Sequence, residues 1–457
     1  MGSILIKNAK AIVTLDQEDS VLEHQNIFIK DNYFQYIGKE TFTADHVIDA
    51  GEMFVYPGLI NTHHHLYQTF TRNLPQVQNM ELFDWLTALY EIWRGLTPEM
   101  IYYSSLVGMG ELLKYGCTTC FDHHYVFPSK NSGEFIDQQF LAAEQLGIRF
   151  HASRGSMSRS KKDGGLPPDD LVQKVDEILS DSHRLIEKYH DEKPYAMKQM
   201  VLAPCSPFSV TEDLMVETAK LARVKHVRLH THLAETKDEE QYCLDRFHMR
   251  PLDYMESLGW LGEDVWFAHG IHFNEAELKR LAGTKTGVAH CPVSNQKLAS
   301  GTAKISCMLE LGVPVGLAVD GSASNDGSNL LAELRASYLI HRLTASAKAP
   351  SGYDLLKVAT KGGAGLLGRK DLGSIEAGKA ADLFLIDTGK LEYVGACFDP
   401  KSLPATVGIN HPTAYTIVNG KIVVKNGELC QVEERAIIKK AQQLVNKLIS
   451  GGGICTV

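Results

Sequence analysis

The chain has 457 residues, 44% apolar and 22% charged; that length exceeds what one hydrophobic core usually serves, and the composition excludes long disordered tracts. A formal charge of -9 and a pI near 6.1, with no Lys/Arg-rich run, leave no basic face for a phosphate backbone, so a nucleic acid polymer is not an expected partner. With no apolar run near the roughly 20 residues of a membrane span, no signal-like N-terminus and nine irregularly spaced cysteines, the expectation is a cytoplasmic protein with reduced thiols and no membrane partner.

Residues 1–58 alternate short apolar stretches with turn residues, as in Ile4–Ile6, Ala11–Val13 and Asn26–Ile29, the texture of β-hairpins. It returns at Ala381–Ile386 and Tyr415–Val424, so the two ends are expected to form one small domain, 1–58 with 365–457. A helical period over Glu434–Leu448 belongs to that second segment, and Gly451–Gly453 marks its frayed tail. Residues 59–364 change character. Short buried strands alternate there with helix-length segments: Thr119–Asp122, Arg149–Ser153, Gln199–Ala203, Val227–His232, Val265–His269, Gly287–His290 and Val315–Asp320. Strand and helix repeated over about 300 residues predict parallel βαβ units closing into a (β/α)8 barrel. Nearly every strand ends in His, Asp, Ser or Cys, and the C-terminal strand ends are where such barrels assemble their chemistry.

The first barrel strand ends His63-His64-His65. Residues two apart on a strand share a side, so His63 and His65 converge on one ion while His64 faces away. His232 is placed to add a third imidazole, Asp320 a carboxylate, and Glu235 reaches into the same mouth with a proton, while His269 ends another strand. Three imidazoles and a carboxylate suit one divalent metal, Zn2+ or Fe2+, with a position left for water.

These segments, with His290-Cys291-Pro292-Val293-Ser294-Asn295 and Gly378-Lys379-Ala380-Ala381-Asp382-Leu383, resemble the amidohydrolase superfamily in its deaminase and chlorohydrolase branch. The resemblance implies a (β/α)8 barrel flanked by a β-sandwich built from both termini. It implies His63, His65, His232 and Asp320 as metal ligands and Glu235, His269 and Asp320 as catalytic groups. Binuclear relatives carry a carboxylated lysine at the end of strand four; here Lys198 lies at the opposite end of that strand, so one metal is expected.

Within the family the sequence resembles the 8-oxoguanine deaminases, a likeness carried by His63–Arg72, Arg154–Ser158, Leu202–Thr211 and Gly270–Phe273. The implied substrate is a small purine-like heterocycle, with 8-oxoguanine converted to urate and ammonia. Gln68 offers donor and acceptor, Trp85 a flat wall, Arg154 a cation for a carbonyl, and Cys205 a contact at the end of strand four. Guanine or isoxanthopterin deamination, displacement of chloride or an alkylamine from a triazine, and an inactive scaffold are the alternatives; the scaffold would have lost ligands that are all present. No P-C-x-x-C signature occurs, since Gly116 rather than proline precedes the pair Cys117 and Cys120, which sets the chain apart from the zinc deaminases of nucleic-acid bases. Asp122, His123 and His124 invite a second metal, but the family pattern gives them a supporting or substrate-loop role. Family members often self-associate, so the resemblance leaves room for a homo-oligomer.

Overall fold

A computed structural model describes residues 2–129 and 132–451. Eight parallel strands form its central sheet: β1 (Leu59–Asn61), β2 (Cys117–Asp122), β3 (Arg149–Ser156), β4 (Lys198–Pro204), β5 (Arg228–Leu233), β6 (Val265–His269), β7 (Gly287–His290) and β8 (Val315–Leu317). Their order in the sheet is their order in the chain, as right-handed βαβ crossovers produce. The ring closes where Thr62 N–H donates to the Leu317 carbonyl at 3.1 Å, and, further toward the mouth, where Asp320–Gly321 pairs in parallel with His64–His65. This is a (β/α)8 barrel. β6 and β7 are buried at every position because helices cover the outer face while side chains fill the interior.

The intervening helices follow from their apolar spacing. Val175–Tyr189 buries Ile178, Ser182, Leu185 and Ile186, three and four residues apart along one face.

Both ends of the chain contribute to two further sheets. Ser3–Ala9 lies between Gln25–Lys30 and His46–Asp49 in a four-stranded sheet, while Met53–Pro57 pairs antiparallel with Leu383–Asp387 at the centre of a seven-stranded one. Ile4, Ile27, Val55, Leu383 and Leu385 share one core, so the sheets pack as a small sandwich. A buried fork joins it to the barrel: Arg149, at the start of β3, donates from Nη2 and Nε to the Asp382 carboxylate at 3.0 and 3.2 Å. The C-terminal helix Glu434–Gly451 packs on the barrel helix Pro98–Lys114 through Lys114–Glu434 and Glu99–Lys440 pairs, each 2.7 Å. Gly452 and Gly453 lie outside the described residues.

The eighth strand departs from its sequence reading. Val315–Asp320 is not continuous, because the strand stops at Leu317 and pairing resumes only at Asp320. Asp320 has φ 60°, a left-handed conformation that breaks a strand and re-aims its side chain.

Candidate active site

At the C-terminal mouth of the barrel the ends of β1, β5, β6 and β8 bring His63, His65, His232, His269, Glu235 and Asp320 together, all buried. His65 Nε2 lies 3.1 Å from His232 Nε2, and Asp320 Oδ1 lies 3.3 Å from Nε2 of both His63 and His65. His64 points elsewhere, its Nε2 2.9 Å from Ser328 Oγ, as the period-two argument requires.

The partners of these rings fix their tautomers. Carbonyls only accept, so His65 Nδ1–H donates to the His123 carbonyl and His232 Nδ1–H to the Cys205 carbonyl, each at 2.7 Å; both rings then present a bare Nε2. Burial pushes the His63 pKa down to about 3 and that of His232 well below its usual value, so these rings are neutral. Two lone pairs facing across 3.1 Å repel, and a divalent cation shared between them turns that repulsion into attraction. His63 Nε2 is buried without a hydrogen bond and belongs to the same convergence. Tetrahedral ligands of zinc stand about 3.3 Å apart at their usual bond lengths, close to the 3.1 Å between His65 and His232 and the 3.3 Å from Asp320 Oδ1 to His63 and His65; His63, His65 and His232 also fall, with His123, in one set of donor atoms lying within 4.8 Å of one another, and His63 and Asp320, with His269, in another. The donor set therefore fits one such ion.

The surroundings hold this geometry. Asp320 Oδ2 accepts from Ser294 Oγ at 2.5 Å and Ser324 Oγ at 3.1 Å. His269 Nδ1–H donates to Asn295 Oδ1 at 2.9 Å, turning its Nε2 toward Glu235 Oε2 at 3.4 Å. The Glu235 turn is pinned by Glu239, whose carboxylate accepts the N–H groups of Ala234 and Glu235 at 2.8 and 3.0 Å. Ala234, His269 and Asp320 all have positive φ, backbone strain of the kind that gathers at functional sites. Burial, and next the charge of Asp320, push the Glu235 pKa up to about 8, so Glu235 carries a proton at neutral pH.

A cavity adjoins these groups, lined by Gln68, Trp85 and Cys205 as well as His65, His232, Glu235, His269 and Asp320. Leu82, Leu86, Phe208 and Leu298 supply its apolar wall, and Tyr125 and Ser324 further polar lining. Sequence reasoning assigned no role to these six, since loop and helix residues give no sign of which cavity they face. Ser294 and Asn295 did stand in a quoted motif.

Arg154 is a correction. Its Nε donates to Asp181 at 2.6 Å and its Nη2 to Gln173 at 2.9 Å, and the guanidinium lies 3.8 Å over the Phe127 ring. With its charge met there and away from the cavity lining, it is a structural ion pair rather than a substrate contact. Asp122 accepts from Leu66 N–H at 2.6 Å and Gln139 Nε2 at 2.7 Å, bracing the turn after His65. His123 Nε2–H donates to the Ala203 carbonyl at 2.8 Å, and its ring stacks on His232 at 4.7 Å. His124 Nε2 lies 2.9 Å from the Val126 carbonyl.

Comparison with known proteins decides the lineage. A family model described as the amidohydrolase family matches residues 54–423. The chain belongs to the amidohydrolase family. It is 46% identical to 8-oxoguanine deaminase from Pseudomonas aeruginosa, over 88% of this chain and 89% of the relative. It is 40% identical to hydroxydechloroatrazine ethylaminohydrolase from Pseudomonas sp. strain ADP, over 99% and 97%. The solved zinc complex of atrazine chlorohydrolase from Arthrobacter aurescens TC1 superposes with a TM-score of 0.93 at 33% identity, over 97% of this chain and all of that one. This amidohydrolase is thus a metal-dependent hydrolase of C–N bonds in the deaminase branch. Among its described residues no helix is long and apolar enough to cross a membrane.

Proposed function

We propose that this amidohydrolase deaminates 8-oxoguanine to urate and ammonia, with a single Zn2+ held by His63, His65, His232 and Asp320. The observation that carries the reading is the junction of that donor set with a protonated Glu235 and two unengaged donors in one cavity. Trp85 Nε1 is buried without a hydrogen-bond partner, and Gln68 spends its Oε1 on Ala323 N–H, leaving its NH2 for a substrate oxygen. Oxopurines offer carbonyl oxygens to such donors, and a site that must satisfy its own buried donors rejects rings lacking them.

When bound, the metal supplies a Lewis acid that ionises water near neutral pH. Asp320, ionised, accepts the proton of the attacking water. Glu235 delivers its proton to the ring nitrogen beside the amino-bearing carbon, which makes that carbon electrophilic. His269, oriented by Asn295, steadies the oxygen that becomes the new carbonyl. The amino group leaves as ammonia once protonated, and water supplies the oxygen of urate.

A second reading rests on the apolar wall. Leu82, Leu86, Phe208 and Leu298 also suit the alkyl groups of an ethylaminotriazine, from which the same residues would release ethylamine. Both substrates place an amine on a carbon between two ring nitrogens, so the experiment must compare them. Initial rates are measured on 8-oxoguanine, guanine, isoxanthopterin and an ethylamino-hydroxytriazine, with urate and ethylamine identified as products. A kcat/KM highest for 8-oxoguanine supports the proposal; ethylamine release as the dominant activity replaces it with the second reading.

A further inference from the structure

His230 stands directly behind the donor set without belonging to it. The residue is fully buried on β5, two positions before His232 and therefore on the same side of the strand, one layer deeper in the barrel. Its Nδ1 lies 2.9 Å from the Trp266 carbonyl and its Nε2 lies 2.8 Å from His63 Nδ1. The carbonyl can only accept, so His230 Nδ1 carries the proton and Nε2 is bare. His63 Nδ1–H must then be the donor between the two rings, which leaves His63 Nε2 bare and facing His65 and Asp320. The side chain of Trp266 acts on the same strand end, since its indole N–H donates to the Thr62 carbonyl at 3.1 Å. One β6 residue thus fixes the backbone before His63 and, through His230, the proton on its ring.

We propose that His230 is the positioning residue that selects the metal-binding tautomer of His63, through a relay running from the Trp266 carbonyl to His230 and on to His63. His65 and His232 are oriented by main-chain carbonyls, whereas His63 takes its orientation from a side chain, which makes His63 the ligand a single substitution can misdirect. His230 is an imidazole rather than a carboxylate, so it orients His63 without adding negative charge. Three neutral imidazoles and one carboxylate keep a net positive charge on a divalent ion, the condition under which it best ionises water.

Two variants separate hydrogen bonding from packing. His230→Gln retains an oxygen acceptor for His63 Nδ1–H and an amide donor for the Trp266 carbonyl. His230→Phe keeps a flat ring and offers neither. The readout is the rate at which zinc-loaded protein loses its metal to a chelator in excess, with folding checked by circular dichroism. The expected result is loss faster by about 10- to 100-fold in His230→Phe, the usual range for removing such a partner, with most of the loss recovered in His230→Gln. Equal metal retention in wild type and His230→Phe overturns the proposal, and so does equal loss in both variants. Should His230→Phe fail to fold, ring 15N spectra of selectively labelled histidine in the zinc-loaded wild type give a second test. The proposal requires His230 as the Nδ1–H tautomer, and the Nε2–H tautomer refutes it.

Discussion

Glu235 shows how one environment sets one role. Its carboxyl is buried beside the Asp320 charge, and its pKa is pushed up to about 8, so the acid form prevails at neutral pH. Activity needs that form: kcat/KM is present below the pKa and falls as pH rises through it. A bound cation draws the value down, so the alkaline limb of the pH profile lies at or below about 8, and Glu235→Gln removes the limb while lowering kcat by about 10²- to 10⁴-fold. A limb unchanged in Glu235→Gln assigns the proton elsewhere. At this scale sequence revealed the groups that strand periodicity and strand ends point into the mouth: His63, His65, His232 and Asp320. It gave His230 no role, because the depth at which a second residue on the same side of a strand lies is not written in its spacing. Nor did it place Arg154, whose ion-pair partner Asp181 is 27 residues away, on a helix whose packing fixes the contact.

Elements aim these residues. The strands of the barrel were legible because buried parallel strands read as short apolar runs, and two of them, Val265–His269 and Gly287–His290, have the predicted bounds. β8 was overrun in the sequence reading, since nothing in Val315–Asp320 signals that an aspartate will take positive φ. The turn after β8 also sets the cavity wall. A Cβ on Gly321 would fall 1.9 Å from Gln68 Oε1, so only glycine lets Gln68 approach. Gly321→Ala has no backbone penalty to meet, because Gly321 has φ -68°, and its effect reports on Gln68. The expected outcome is a KM raised by about 2- to 10-fold, the worth of one neutral hydrogen bond, with kcat little changed; an unaltered KM removes Gln68 from substrate binding.

For the whole molecule, the alternating strands and helices gave away the barrel, and the matching β-textures at the two ends gave away their union in one unit. The fastening between them was not visible, as it depends on Arg149 and Asp382, 233 residues apart. That pair is almost fully buried, with side-chain exposures of 0% and 4%. Asp382→Ala leaves a guanidinium without its carboxylate and should cost about 3–5 kcal/mol in denaturant unfolding, with metal content unchanged in the folded protein; a loss below about 1 kcal/mol makes the joint dispensable.

All of these elements converge on one claim, that a metal held by His63, His65, His232 and Asp320 drives deamination of an oxopurine. The direct measurement is ammonia release from 8-oxoguanine by zinc-reloaded protein, beside metal-stripped protein and the Asp320→Asn variant. Turnover is expected in the first, little in the second until one equivalent of zinc is restored, and a loss of at least about 10²-fold in the third. Turnover that survives both metal removal and Asp320→Asn would contradict that claim.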